Sequence, residues 1–115
     1  MLRALVSKRK PRPERPRTQA RRSEREREQL ARDQERLFAL SPGGDAARPL
    51  SAASASVLET RALQVPCPLC AGEHELLEHA AVSHAGARLR KLTLRCRRCG
   101  SRRSLFFQLE ERQLN

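Results

Sequence analysis

All four cysteines of the chain fall into two Cys-x-x-Cys pairs, Cys67-Pro68-Leu69-Cys70 and Cys96-Arg97-Arg98-Cys99, with 25 residues between them. Thiolates two residues apart reach one ion from a single tight turn. Two such turns supply the closed four-sulfur tetrahedron that Zn²⁺ favours in structural sites. Four thiols scattered at random through 115 residues would seldom pair in this way. Disulfides are the main competitor, but the opening residues carry too short an apolar run for a signal peptide, so a reducing, cytoplasmic setting is expected. A thioredoxin-like redox pair belongs at the start of a helix within a βαβ unit, and neither pair has that context. Iron suits the same four thiolates, yet nothing around them suggests electron transfer. One structural Zn²⁺ on Cys67, Cys70, Cys96 and Cys99 is therefore the expectation.

Composition limits how much else can fold. Hydrophobic residues make up 38% of the chain and charged residues 32%, and the only aromatics are three Phe. One modest domain is expected, without an extended core along the whole length. The formal charge of +11 is uneven, with +7 in residues 1–40, none in 41–66 and +4 in 67–115. Twenty-one of the 24 basic residues are Arg, whose planar fork binds two phosphate oxygens at once. A codon bias toward Arg would give the same excess. No apolar run approaches a membrane span. The Arg-rich first 23 residues resemble an organellar transit peptide, but the alternating acids that follow argue against one.

Residues 1–17 read as a disordered basic arm, since Pro11, Pro13 and Pro16 remove donors and fix φ. Strong helix formers fill residues 18–40, with Ser23 and Glu26 spaced as a capping box. Apolar residues there are few (Leu30, Leu37, Phe38, Leu40), so the helix is expected to face solvent or to form on a partner. Residues 41–64 read as a flexible linker, with Ser41-Pro42-Gly43-Gly44 ending the helix. A strand is expected over residues 57–65, leading into the first cysteine turn. Beyond it, residues 72–83 place His74, Leu76, Ala80 and Val82 on one strand face, interrupted by Glu78. Ala85-Gly86-Ala87 is a turn candidate. Residues 88–95 put Leu92 and Leu94 on the side of Cys96, and residues 103–110 put Leu105, Phe107 and Leu109 on one face. Residues 111–115 form a tail.

This arrangement resembles the zinc ribbon group, with rubredoxin-like four-cysteine knuckles, over about residues 65–110. The matching residues are Cys67, Pro68 and Cys70 in one knuckle and Cys96, Cys99 and Gly100 in the other. It also resembles small uncharacterised bacterial zinc ribbon proteins. The resemblance implies a small metal-bound all-β fold, a C-terminal three-stranded antiparallel sheet clasped at one end by zinc, and no activity. Gly100 suits the left-handed backbone after a knuckle's second cysteine. In the first knuckle that place belongs to Ala71, with Gly72 one residue late, so a looser turn is expected there.

His74, His79 and His84 would compete with a complete cysteine set and read as strand histidines. No phosphate loop, nucleophile triad or buried acid pair is present, so neither an enzyme nor a small-molecule substrate is expected. The dense basic run is the other functional signal: Arg88, Arg90, Lys91, Arg95, Arg97, Arg98, Arg102 and Arg103 occupy half of residues 88–103. Two or three of them would offset the −2 charge of a zinc tetrathiolate. The rest, with the arm, suit a polyanion, and Phe106 or Phe107 would offer a stacking face. Nucleic-acid binding is the first expectation. Docking on a larger protein assembly, through the ribbon or the helix, is the alternative.

Overall fold

A computed structural model describes residues 15–110. The element order is α1 (Pro16–Leu40), β1 (Leu50–Ala52), a single 3₁₀ turn (Ala55–Val57), α2 (Leu58–Leu63), β2 (His74–His84), β3 (Ala87–Cys96) and β4 (Arg102–Leu109). The chain divides into two units, Met1–Leu30 and Ala31–Asn115, and α1 runs across the boundary.

In the first unit the described residues are helix from Pro16 onward, and residues 15–30 are exposed throughout. Proline serves the first helical turn well, where its missing N–H has no partner to lose. The helix therefore starts ahead of residue 18, and Ser23 and Glu26 lie inside it rather than capping it. Residues 1–14 of the expected arm and the 111–115 tail lie outside the described residues.

The second unit holds a four-stranded mixed sheet of order β1-β4-β3-β2. Strands β2, β3 and β4 form the expected antiparallel sheet. The fourth strand comes from the stretch read as a linker: β1 pairs parallel with β4, Leu50 opposite Phe107 and Ala52 opposite Leu109. The strand expected over 57–65 is also corrected, because Leu58–Leu63 is helical. Leu58 and Ala62 stand four apart, one helical turn, and both are fully buried. The fold is thus not all-β.

The core comprises Ala52, Leu58, Ala62, Leu92, Leu94, Leu105 and Phe107, with Phe38, Leu50, Val65, Leu76 and Leu109 packed around it. Three of these seven buried residues come from the expected linker. Gly43 accounts for how that segment holds the sheet: its N–H bonds Arg48 O and its carbonyl accepts from Phe106 N–H at 2.8 Å. It adopts φ +83, and a Cβ there would press on the Leu50 side chain.

Strand β2 departs from simple alternation. Its register against β3 slips between Leu76 and Glu78, leaving Leu77 as the extra residue of a bulge. Past the bulge the faces exchange. His74, Leu76 and His79 oppose Cys96, Leu94 and Leu92 on the core side, while Ala81, opposite Arg90, is exposed at the strand's far end. Ala80 and Val82, expected on the core face with Leu76, oppose Lys91 and Leu89 on the other side, where Leu89 is itself buried.

Candidate metal centre

The two cysteine turns are built alike, bond for bond. In the first, Cys67 N–H bonds Gly72 O and Ala71 N–H bonds Cys67 O; in the second, Cys96 N–H bonds Ser101 O and Gly100 N–H bonds Cys96 O. The middle amides also match, with Leu69 N–H and Arg98 N–H each donating to the leading sulfur at 3.4 Å. These donors stabilise negative charge on sulfur.

All four Sγ atoms lie within 4.8 Å of one another. Across the knuckles, Cys67 Sγ is 3.6 Å from Cys99 Sγ and Cys70 Sγ is 3.4 Å from Cys96 Sγ. A tetrahedron with metal–sulfur bonds of about 2.3 Å has edges of about 3.8 Å. The cluster has the size and donor set to hold one metal ion, consistent with a zinc-ribbon-like motif. Cys67 and Cys96 are buried, Cys70 is half-buried and Cys99 is exposed.

Gly72, which stands one place late by sequence, has its own role. A Cβ on it would lie 2.9 Å from Cys96 Sγ and 3.1 Å from Cys70 Sγ. The residue must lack a side chain because the sulfur cradle closes against it. The left-handed position is filled by Ala71 at φ 60, matching Gly100 at φ 76. The first knuckle is therefore not looser; it holds an alanine in a conformation that costs an L-residue about 1 kcal/mol. Ala71→Gly should raise holo stability by about 0.5–1 kcal/mol, and Gly100→Ala should lower it by about 1 kcal/mol. Thermal unfolding at fixed metal concentration checks both signs.

The sulfurs are electrostatically unequal. Burial works against a thiolate at Cys67, but hydrogen bonds from Ser101 and from the Leu69 and Cys70 amides outweigh it and lower the pKa to about 6. Cys96 is lowered chiefly by the Cys99 amide. Desolvation and its sulfur neighbours push Cys70 up to about 11. The cluster's hydrogen bonds thus favour thiolate at Cys67 and Cys96, while desolvation favours the protonated form of Cys70.

Arg103 is the largest correction to the sequence reading. It is not a surface contact: its residue exposure is 6%. Its guanidinium donates to Cys67 Sγ at 3.3 Å and to Ser101 Oγ. On its other side, Nη1 lies 2.9 Å from Glu35 Oε1, as an ion contact rather than an aligned hydrogen bond. The cation also sits 5.4 Å from the Phe38 ring centroid. One buried cation therefore joins the sulfur cluster to the C-terminal part of α1. That part is not wholly solvent-facing, although α1 contains no fully buried residue. The signal was present in the sequence, since Arg103 shares the alternation of Leu105 and Phe107.

The other seven basic candidates do not form one patch. Arg88 and Arg90 flank the β2–β3 turn, and Lys91 lies over the Phe106 ring, 6.0 Å from its centroid. Around the second knuckle, Arg95, Arg97, Arg98 and Arg102 line one shallow concavity together with Glu75. Glu75 pairs with Arg95 and lies 4.0 Å from Arg97 Nε. Arg98 Nη1 donates to Cys70 O at 3.3 Å, tying the knuckles together.

The histidines stand outside the sulfur cluster. His74 is buried with Nδ1 2.7 Å from Val65 O, while His79 Nδ1 contacts Glu59 at 3.1 Å. Among the described residues, no helix is long and apolar enough to cross a membrane. No family model, curated protein or solved structure matches this chain.

Proposed function

We propose that the chain is a non-catalytic protein whose four cysteines hold one structural Zn²⁺ and whose second knuckle presents arginines to nucleic acid. Zinc suits four thiolates in a closed tetrahedron, and closure leaves no open coordination position for chemistry. The observation that carries the nucleic-acid reading is the concavity of Arg95, Arg97, Arg98 and Arg102, in which Glu75 is the single acid. Four guanidiniums fixed around a rigid turn match phosphate oxygens in geometry and charge. Arg88 and Arg90 project on the other side of β3 from Arg95 and are not part of that surface; the basic residues of segment 1–17 would add phosphate contacts of their own. Arg103 is committed to sulfur and Glu35 and is not part of it.

Affinity for RNA or DNA should fall steeply with salt. Replacing Arg97, Arg98 and Arg102 together by Ala should flatten the log–log salt slope by about 2–3, near one unit for each phosphate no longer neutralised. Fluorescence anisotropy across a salt series checks this. An unchanged slope in a variant that keeps its metal would remove the knuckle from the interface.

A protein-docking reading has one observation in its favour. Leu37 and Leu40 of α1 are 65% and 60% exposed, although Phe38 beside them is packed on the core. Capture of a specific protein that survives nuclease and high salt would support that reading over the first.

A further inference from the structure

We propose that the sheet face opposite the core binds single-stranded nucleic acid, with an unpaired base stacked on Phe106. This rests on the nucleic-acid reading above and adds the class of strand and the contact that selects it.

Pairing between β3 and β4 sets three rungs directly opposite one another: Arg95 with Arg102, Thr93 with Ser104, and Lys91 with Phe106. Opposed residues of an antiparallel pair project to the same face. The intervening rungs, Leu94 with Arg103, Leu92 with Leu105 and Arg90 with Phe107, include the buried core residues. Phe107 is therefore the core aromatic, and Phe106 projects outward, half-buried. Its strand is held on both sides, by β3 and by the Phe106 N–H bond to Gly43 O. The ring stands on a rigid platform, with a flexible ammonium over its face.

From the Phe106 rung to the Arg102 rung is about 13 Å along β4. That length accommodates about four nucleotides at a stacked spacing of about 3.4 Å per strand. Lys91 stands at one end of this track and Arg95 and Arg102 at the other, with the Thr93 and Ser104 hydroxyls between them. Between the Phe106 and Arg102 rungs the acids of this face, Glu75 and Glu78, belong to β2, Glu75 is already paired with Arg95, and Glu110 lies beyond Phe106 at the end of β4. The favourable path for a polyanion follows β3 and β4, away from β2. Arginines attract single strands and duplexes alike, whereas an aromatic face on a flat sheet can stack only on a base freed from pairing.

The test uses the full zinc-loaded chain with labelled oligo(dT) and a duplex of equal length. Stacking on one base is worth about 5- to 150-fold in affinity. Phe106→Leu should weaken single-strand binding by at least fivefold and leave duplex binding unchanged, while Phe106→Tyr should bind as the parent does. The chain contains no Trp, so Phe106→Trp adds a local reporter whose fluorescence should be quenched by oligo(dT) and not by duplex. Equal loss of both probes on Phe106→Leu, or an unquenched Phe106→Trp, would overturn the stacking contact while the arginine surface stands. Failure of the parent chain to bind either probe would overturn both.

Discussion

Stripping the metal from the loaded protein should unfold the β2–β4 sheet, with loss of strand signal and free amide exchange at Leu92 and Leu94. The reason lies in how little else connects the sheet's metal end. Beyond Leu94 and Leu76, the cysteine side chains point at one another rather than into the core, and besides them the end is held by a few polar contacts of His74, Arg98 and Arg103. Removing the ion leaves four sulfurs crowded within 4.8 Å of one another, two of them on buried cysteines. Zinc bound to four thiolates contributes on the order of 10–16 kcal/mol of apparent free energy at neutral pH, and in small domains that becomes folding free energy. Domains of this size are stable by only about 5–15 kcal/mol, so removing the ion should be decisive. Circular dichroism before and after chelation, with metal content measured in parallel, gives the answer.

Arg103→Ala should be the most damaging change among the eight basic residues of 88–103, costing about 3 kcal/mol. The guanidinium is 2% exposed by its side chain, whereas Glu35 is 35% exposed. Glu35 therefore loses less when left alone, and the upper end of the 3–5 kcal/mol range for a broken buried pair does not apply. What remains is the empty volume over Phe38 and a sulfur cluster without its neighbouring cation, while Ser101 Oγ keeps its contacts with Cys67 and Cys99 Sγ. Glu35→Gln should cost about 1 kcal/mol because water reaches that carboxylate. Arg103→Lys should rescue only part of the stability, since one ammonium cannot serve sulfur, hydroxyl and carboxylate from a fork's separate positions. Denaturant unfolding at fixed free zinc separates these cases. A double-variant cycle between positions 35 and 103 should show coupling, and additive effects would mean that the Glu35–Arg103 contact does not hold the end of α1.

The four-cysteine cluster was legible because Cys-x-x-Cys spacing encodes it locally, without reference to the rest of the chain. Strands β3 and β4 were legible for the same kind of reason: Leu92, Leu94, Leu105 and Phe107 alternate strictly. What escaped depended on distant partners. Ala52, Leu58 and Ala62 sit among Ser, Ala and Arg, a composition that reads as linker, and only the uncovered face of the sheet gives them something to bury against. The bulge at Leu77 has no local signature beyond the misplaced Glu78, yet it reverses which residues of β2 face inward. Arg103 was counted by its charge when its position in the alternation mattered more. Treating the basic run as one surface overlooked that a strand sends its charges to opposite sides.

The proposed interface and the expected response to chelation both require one ion held by the four sulfurs. Zinc-edge X-ray absorption on the purified chain, with native mass spectrometry for stoichiometry, tests that directly. One zinc per chain with four sulfur neighbours at about 2.3 Å is the predicted result. A metal-free chain with its cysteines oxidised in pairs, or a zinc shell containing nitrogen or oxygen, would contradict it.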